Sequence, residues 1–151
     1  MTYPLTENYL SGITIKGTLV SESILSGYKT VENRTWSIKP GWYVLHTGNG
    51  KIDKDVYKNI LRNWPKNIPI PNEKLLPKKA IVGLLLFGNS FIINKKNPIY
   101  SNWDFGPVIN PILNYIRLDK PIHNIKGQLK LWNVSKVISQ NDYNMLLSLI
   151  H

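Results

Sequence analysis

The chain has 151 residues, which fits one domain with one hydrophobic core. Its 42% hydrophobic content, with five Trp and eight Tyr, excludes a disordered chain, and the lack of Cys excludes disulfides, thiol nucleophiles and Cys-based zinc sites. With 19 Lys and Arg against 9 Asp and Glu the formal net charge is +10, an excess that attracts polyanions, of which nucleic acid is the commonest inside cells. Only Arg34, Arg62 and Arg117 are Arg; the other cations are Lys, which act as point charges rather than bidentate readers. Lys, Asn and Ile are all abundant, so part of the charge also follows from an A/T-rich coding sequence.

The N-terminal "MTYPLTENYLSG" has no basic-then-apolar signal pattern, and the longest apolar run, "AIVGLLLFG", is far shorter than the roughly 20 residues of a membrane span. The expectation is an intracellular protein, cytoplasmic or nuclear, without a membrane partner.

In chain order, "SGITIKG" reads as a short strand with Ile13 and Ile15 on one face. "TLVSESILSG" reads as a helix of about two turns, with Thr18 as its cap and Gly27 as the left-handed residue that ends it. "YKTVENRTW" is strand-like, "KPGW" is a turn, and "WYVLHT" is the next strand. "DKDVYKNILRNWP" is the clearest helix, capped by Asp53, striped by Val56, Tyr57, Ile60, Leu61 and Trp64, and stopped by Pro65. The Pro-rich "KNIPIPNEKLLPKK" reads as an irregular loop. "KAIVGLLLFGNSFII" lacks clean alternation, as a central strand buried on both faces does. "SNWDFGPVINP" is turn-rich, "ILNYIRLDKPI" and "GQLKLWNVSKVI" are strands, and "SQNDYNMLLSLIH" is a last helix capped by Ser139. No repeat or linker divides the chain, so residues 1–151 form a single α+β domain of about five or six strands with three helices, a small mixed barrel among the options.

Candidate chemistry concentrates in "KTVENRTW". A strand period of two puts Thr30, Glu32, Arg34 and Trp36 on one face and Val31 and Asn33 on the other, with Lys29 at the strand's start. Such a Lys–Glu–Arg row can hold an anion or a polar heterocycle, with Trp36 as a stacking surface. On pattern alone the ordinary alternative leads, a solvated strand whose ion pairs contribute roughly 0–1 kcal/mol each. His46 ends a strand before a glycine turn and reads as a satisfied histidine as readily as a donor or base. His123 and His151 have no metal-ligand spacing, so neither metal nor cofactor is expected. Neither G-x-S-x-G nor GxxxxGK[ST] is present, and "TGNGK" is a turn rather than a phosphate loop.

Taken together, "SGYKTVENRTW", "GWYVLHTG", "KKAIVGLLLFG", "WDFGPV" and "KPIHNIKGQLKLWNV" follow one another in an order that resembles the ASCH domain family of the PUA-like superfamily, whose signature is G-x-K-T-x-E-x-R. The resemblance runs from about Ile13 to Val134. It implies a small β-barrel with helices around it and a cleft, floored by the signature strand, that binds RNA or a nucleoside- or nucleotide-like ligand. Lys29, Glu32 and Arg34 then match the signature's polar positions, and Gly27 and Thr30 its structural ones. Trp36, His46 and Trp103 are expected as lining residues and Trp132 as core. Some members of the family deacylate N4-acetylcytidine with a Lys, a Thr and a Glu. Lys29 matches that Lys, but Glu32 stands where the Thr belongs. The alternative to a binding module is therefore a small hydrolase of this kind, or a ribonuclease, with Lys29 and Glu32 as its working pair. An acidic protein partner would suit the same charge.

Overall fold

The computed structural model describes residues 9–92 and 107–150. Along them run β1 (Ser11–Ile15), α1 (Thr18–Leu25), β2 (Val31–Arg34), β3 (Gly41–Thr47), α2 (Lys54–Asn63), β4 (Ala80–Phe87), β5 (Phe91–Ile92), β6 (Val108–Ile122), β7 (Leu131–Asn133) and α3 (Gln140–Ser148). Short 3-10 turns lie at Glu73–Leu75 and Val134–Lys136. The class is α+β, as expected: three helices accompany a mixed sheet that curls into a half-barrel. Its strand order is β2-β6-β4-β3-β1-β7, and the two-residue β5 attaches to β6 as a seventh strand.

The sheet's one parallel pair among the described strands is β1 with β3, in a register that sets Thr14 level with His46. β7 pairs with the other edge of β1 only from Ser11 to Ile13, so Thr14 and Ile15 lie beyond the last β7 partner. β6 is a single 15-residue strand where the sequence reads as a turn-rich segment followed by a strand. Val108–Pro111 pair with β2, and Ile112 onward pairs with β4. Pro111, which cannot donate to a ladder, sits at that changeover. β7 is shorter than expected, because Asn133 turns the chain by accepting the Ser135 N–H.

β4 lacks alternation because both of its faces are covered. Val82, Leu85 and Phe87 join Ile13, Leu19, Ile24, Tyr43 and Leu45 in one core, while Ile81, Leu84 and Leu86 meet Trp42, Trp132 and Leu146 in a second core that α3 covers. Leu45 pairs with Gly83 and His46 with Ile81, so Val82 is an extra residue on β4 that reverses which face the later side chains take.

Helix ends follow the sequence in part. Gly27 has the left-handed φ of 81° expected of it, and α2 stops at Trp64 before Pro65. Ser139 caps α3 by accepting the Asp142 N–H at 3.1 Å. Thr18, however, is already inside α1, whose preceding residue is Gly17 at φ 98°, and Asp53 sits at the α2 cap position without a capping hydrogen bond. In the α2 stripe Ile60 and Trp64 are buried, whereas Tyr57 and Leu61 stay exposed.

Gly83 marks the tightest backbone approach in the sheet. A Cβ there would lie 2.5 Å from the Ile116 carbonyl oxygen and 2.7 Å from Leu25 Cδ2. The first neighbour is backbone and cannot swing away. Gly83→Ala is therefore expected to lose about 1–3 kcal/mol in urea denaturation. Gly48→Ala, where the nearest atom is 3.5 Å away, should be close to neutral; equal losses in the two variants would contradict the packing described here.

Candidate functional site

The segment from Tyr28 to Arg34 is held at both ends by backbone hydrogen bonds. After α1 the chain turns sharply, with the N–H groups of Tyr28 and Lys29 donating to the Ser23 carbonyl at 2.9 and 3.0 Å. The Thr30 carbonyl then accepts from Ile112 N–H at 2.8 Å, which starts the pairing of β2 with β6. Opposite Glu32 stands Asn110, fully buried. Its Nδ2 donates to the Glu32 carbonyl at 3.1 Å and its Oδ1 accepts the Ile38 N–H at 2.9 Å. Asn110 thus fixes both the strand and the bend that follows it.

On this frame Lys29, Glu32 and Arg34 come together as the sequence predicts. Lys29 and Glu32 are only 7% and 8% exposed. One Glu32 oxygen, Oε2, lies 3.3 Å from Lys29 Nζ, and the other, Oε1, accepts from Arg34 Nε at 3.1 Å. Lys29 Nζ also donates to the Val31 carbonyl. Burial holds the Lys29 pKa below its ordinary 10.5; the Glu32 carboxylate opposes that shift and the Arg34 guanidinium adds to it. Arg34 extends through Nη2 to the Thr14 carbonyl at 3.3 Å, at the end of β1 that β7 leaves uncovered. The guanidinium carbon sits 5.9 Å from the Trp36 ring centroid, and the ring itself packs against the first core.

These residues open onto a cavity of about 260 Å³, lined also by Thr14, Lys16, Asn33 and Asp53 and walled on its apolar side by Ile15, Val20, Ile52 and Val56. Asn33, which the alternation rule puts on the Val31 face, is among the lining residues. Both polar atoms of its side-chain amide are buried without a hydrogen-bond partner among the described residues. Asp53, which makes no capping hydrogen bond, lines the same space. Trp36 is a neighbour of Arg34 rather than part of this lining.

His46 lies elsewhere, on the floor of a separate cavity, and is fully buried. Its Nε2 is 2.7 Å from the Ile125 carbonyl oxygen, which can only accept, so Nε2 carries the proton. Its Nδ1 is 3.1 Å from Thr14 Oγ1 and accepts from that hydroxyl in the neutral ring. Burial lowers the His46 pKa below 6.5, against the opposing pull of the Ile125 carbonyl. Trp132 is core, with its ring edge-on to His46 at 5.9 Å. Trp103 lies outside the described residues. Among the described residues no group of three or more His, Asp or Glu is placed to hold a metal ion.

Three contributors were not singled out by sequence reading. Thr14 looks like any strand threonine, and only the β1–β3 register brings it to His46. Asn33 joins the cavity lining although alternation puts it on the Val31 face, where its amide is buried. Asn110 sits in a segment read as a turn, and its role depends on pairing across 78 positions. No protein-family model matches the chain, and no curated protein matches it.

The lowered Lys29 pKa has a signed consequence. Between its folded value and 10.5 the unfolded chain binds the extra proton, so this residue makes stability rise with pH across that interval. Lys29→Met should remove that rise. Thermal melts from neutral pH toward 10.5 should show the wild type gaining on the variant; a constant difference would mean that Lys29 is solvated.

Proposed function

We propose that this chain is an ASCH-type, PUA-like domain that binds RNA or a nucleotide-like ligand by taking one base into the cleft on β2. The observation that carries the reading is the composition of the cleft wall. Within Lys29 to Arg34 the chain supplies cationic donors and a carboxylate acceptor. A nucleobase edge offers the complement: carbonyl oxygens and ring nitrogens for the donors, and an exocyclic amine for the carboxylate. At about 260 Å³ the space lies below the roughly 300–1,000 Å³ of drug-sized ligand sites, so it suits a base with its sugar and phosphate outside. The net charge of +10 supplies long-range attraction for the rest of a polyanion.

A hydrolase acting on a modified nucleoside has one observation in its favour, the buried Lys29 with its lowered pKa. Against it, each Glu32 oxygen already engages a cation, so Glu32 is a positioned acceptor rather than a base poised over a water. Binding is the better-supported reading.

Single-stranded RNA should therefore bind with an affinity that falls at least tenfold between about 50 and 200 mM salt, as release of counterions requires. Arg34→Ala, which removes a partly exposed donor from the cleft lining, should weaken binding about tenfold, with a thermal melt run beside it to show that the variant is folded. Salt-independent affinity, or a folded Arg34→Ala variant that binds like wild type, would count against the cleft. The hydrolase reading is checked separately by long incubation with N4-acetylcytidine, which should be recovered intact; turnover that disappears in Lys29→Ala would reverse the preference.

A further inference from the structure

The cavity above His46 has no part in the base-binding reading, and its chemistry differs from that of the cleft. It measures about 670 Å³ and is lined by Lys16, Lys79 and Lys126, the Gly48–Gly50 turn, and the Thr14–His46 pair. No Asp or Glu is among its lining residues, in contrast to the cleft, which has Glu32 and Asp53. A third cavity, of about 500 Å³ on the far side of the same turn, includes Glu73 among its lysines.

The floor is already saturated. His46 donates through Nε2 to Ile125 and accepts through Nδ1 from Thr14, and Thr14 Oγ1 in turn accepts the Gln128 N–H at 3.3 Å. A neutral, fully bonded floor leaves the three ammonium groups of the rim to define what enters. The rim is built: Ile125 N–H donates to the Lys79 carbonyl at 2.8 Å, which ties together the two segments carrying Lys79 and Lys126. Lys79 at φ 49° and Asn124 at φ 60° hold left-handed conformations beside that tie, a backbone cost that non-glycine residues accept where the surrounding structure dictates it. Three lysines brought to one cavity without a carboxylate repel one another, and a multiply charged anion relieves that repulsion.

The two cavities meet at Thr14 and Lys16, which line both. Thr14 is the partition: its carbonyl holds Arg34 of the cleft and its hydroxyl holds His46 of the neighbouring floor. We infer that the Lys16–Lys79–Lys126 cavity seats the phosphate of the nucleotide whose base enters the β2 cleft. The link to a base rests on the function proposed above; the anion site itself does not.

Calorimetric titration of the full chain at low salt separates the two. A nucleoside 5′-monophosphate should bind at least tenfold more tightly than its nucleoside. The double variant Lys79→Gln, Lys126→Gln should narrow that gap to less than threefold while leaving nucleoside affinity unchanged. Inorganic pyrophosphate, used alone, should bind the wild type and lose at least tenfold in the double variant. A dinucleoside monophosphate that matches the mononucleotide would assign the seat to a phosphodiester of RNA; a clear preference for the 5′-monophosphate would assign it to a free nucleotide. Failure of pyrophosphate to bind, or binding that ignores the double substitution, overturns the anion site. Pyrophosphate binding with no response to any nucleoside would keep the anion site and sink both the base cleft and the link between them.

Discussion

Burying the Lys29 ammonium is the constraint on which the rest of the site depends. A cation removed from water needs an opposite charge close by, and Glu32 of β2 supplies it three residues later in the chain. Glu32 is itself buried, and its second oxygen is taken by Arg34. The order Lys, Glu, Arg through the entry to β2 and along it is thus an electrostatic sequence in which each charge answers the previous one. Removing Glu32 would leave two cations facing each other in a place water hardly reaches. Breaking a buried pair in this way typically costs about 3–5 kcal/mol. The last member, Arg34, escapes by reaching across to the Thr14 carbonyl, and that contact ties β2 to the end of β1.

This reach is possible because the sheet curls. β2 and β1 are not neighbours in the strand order, being separated by β6, β4 and β3. They approach across the open side of the half-barrel, with Ile13, Ile15, Val20 and Val31 in one core beneath them. The short β7 leaves the end of β1 uncovered, and the uncapped start of α2 brings Asp53 to the same rim. The cleft is therefore where the sheet fails to close, and its polar groups are the ones for which strand pairing has no use.

How much of this was legible in the sequence depended on whether the determinant was local. Gly27, Pro65 and Ser139 act within a few residues of themselves, and each does what its position implies. The Glu32–Arg34 pair was legible for the same reason, since a period of two brings those side chains together, and Lys29 at the strand's start is near enough in the chain for its long side chain to reach them. Asn33 borders the cavity although alternation puts it on the Val31 face with its amide buried; β2 has only four residues, with a bend held by Asn110 directly after it. The reversal at Val82 is also invisible in "AIVGLLLFG", where every residue is apolar and no parity can be read. Thr14 with His46, and Lys79 with Lys126, are joined by strand register and by a single backbone hydrogen bond, which no spacing rule encodes.

The separation of charges between the two cavities bears on what each can recognise. Had the protein needed only a general attraction for polyanions, Lys scattered over the surface would suffice, and a carboxylate buried among them would weaken it. Glu32 is nevertheless placed where the cations are most buried, while the lysines of the neighbouring cavity have no acid among them. A buried carboxylate between cations favours a ligand that offers both a donor and an acceptor, as a base edge does, and disfavours a bare anion. An all-lysine rim favours the reverse. With Thr14 as the wall between them, two opposite preferences sit side by side, and a nucleotide is the common ligand whose two ends differ in that same way.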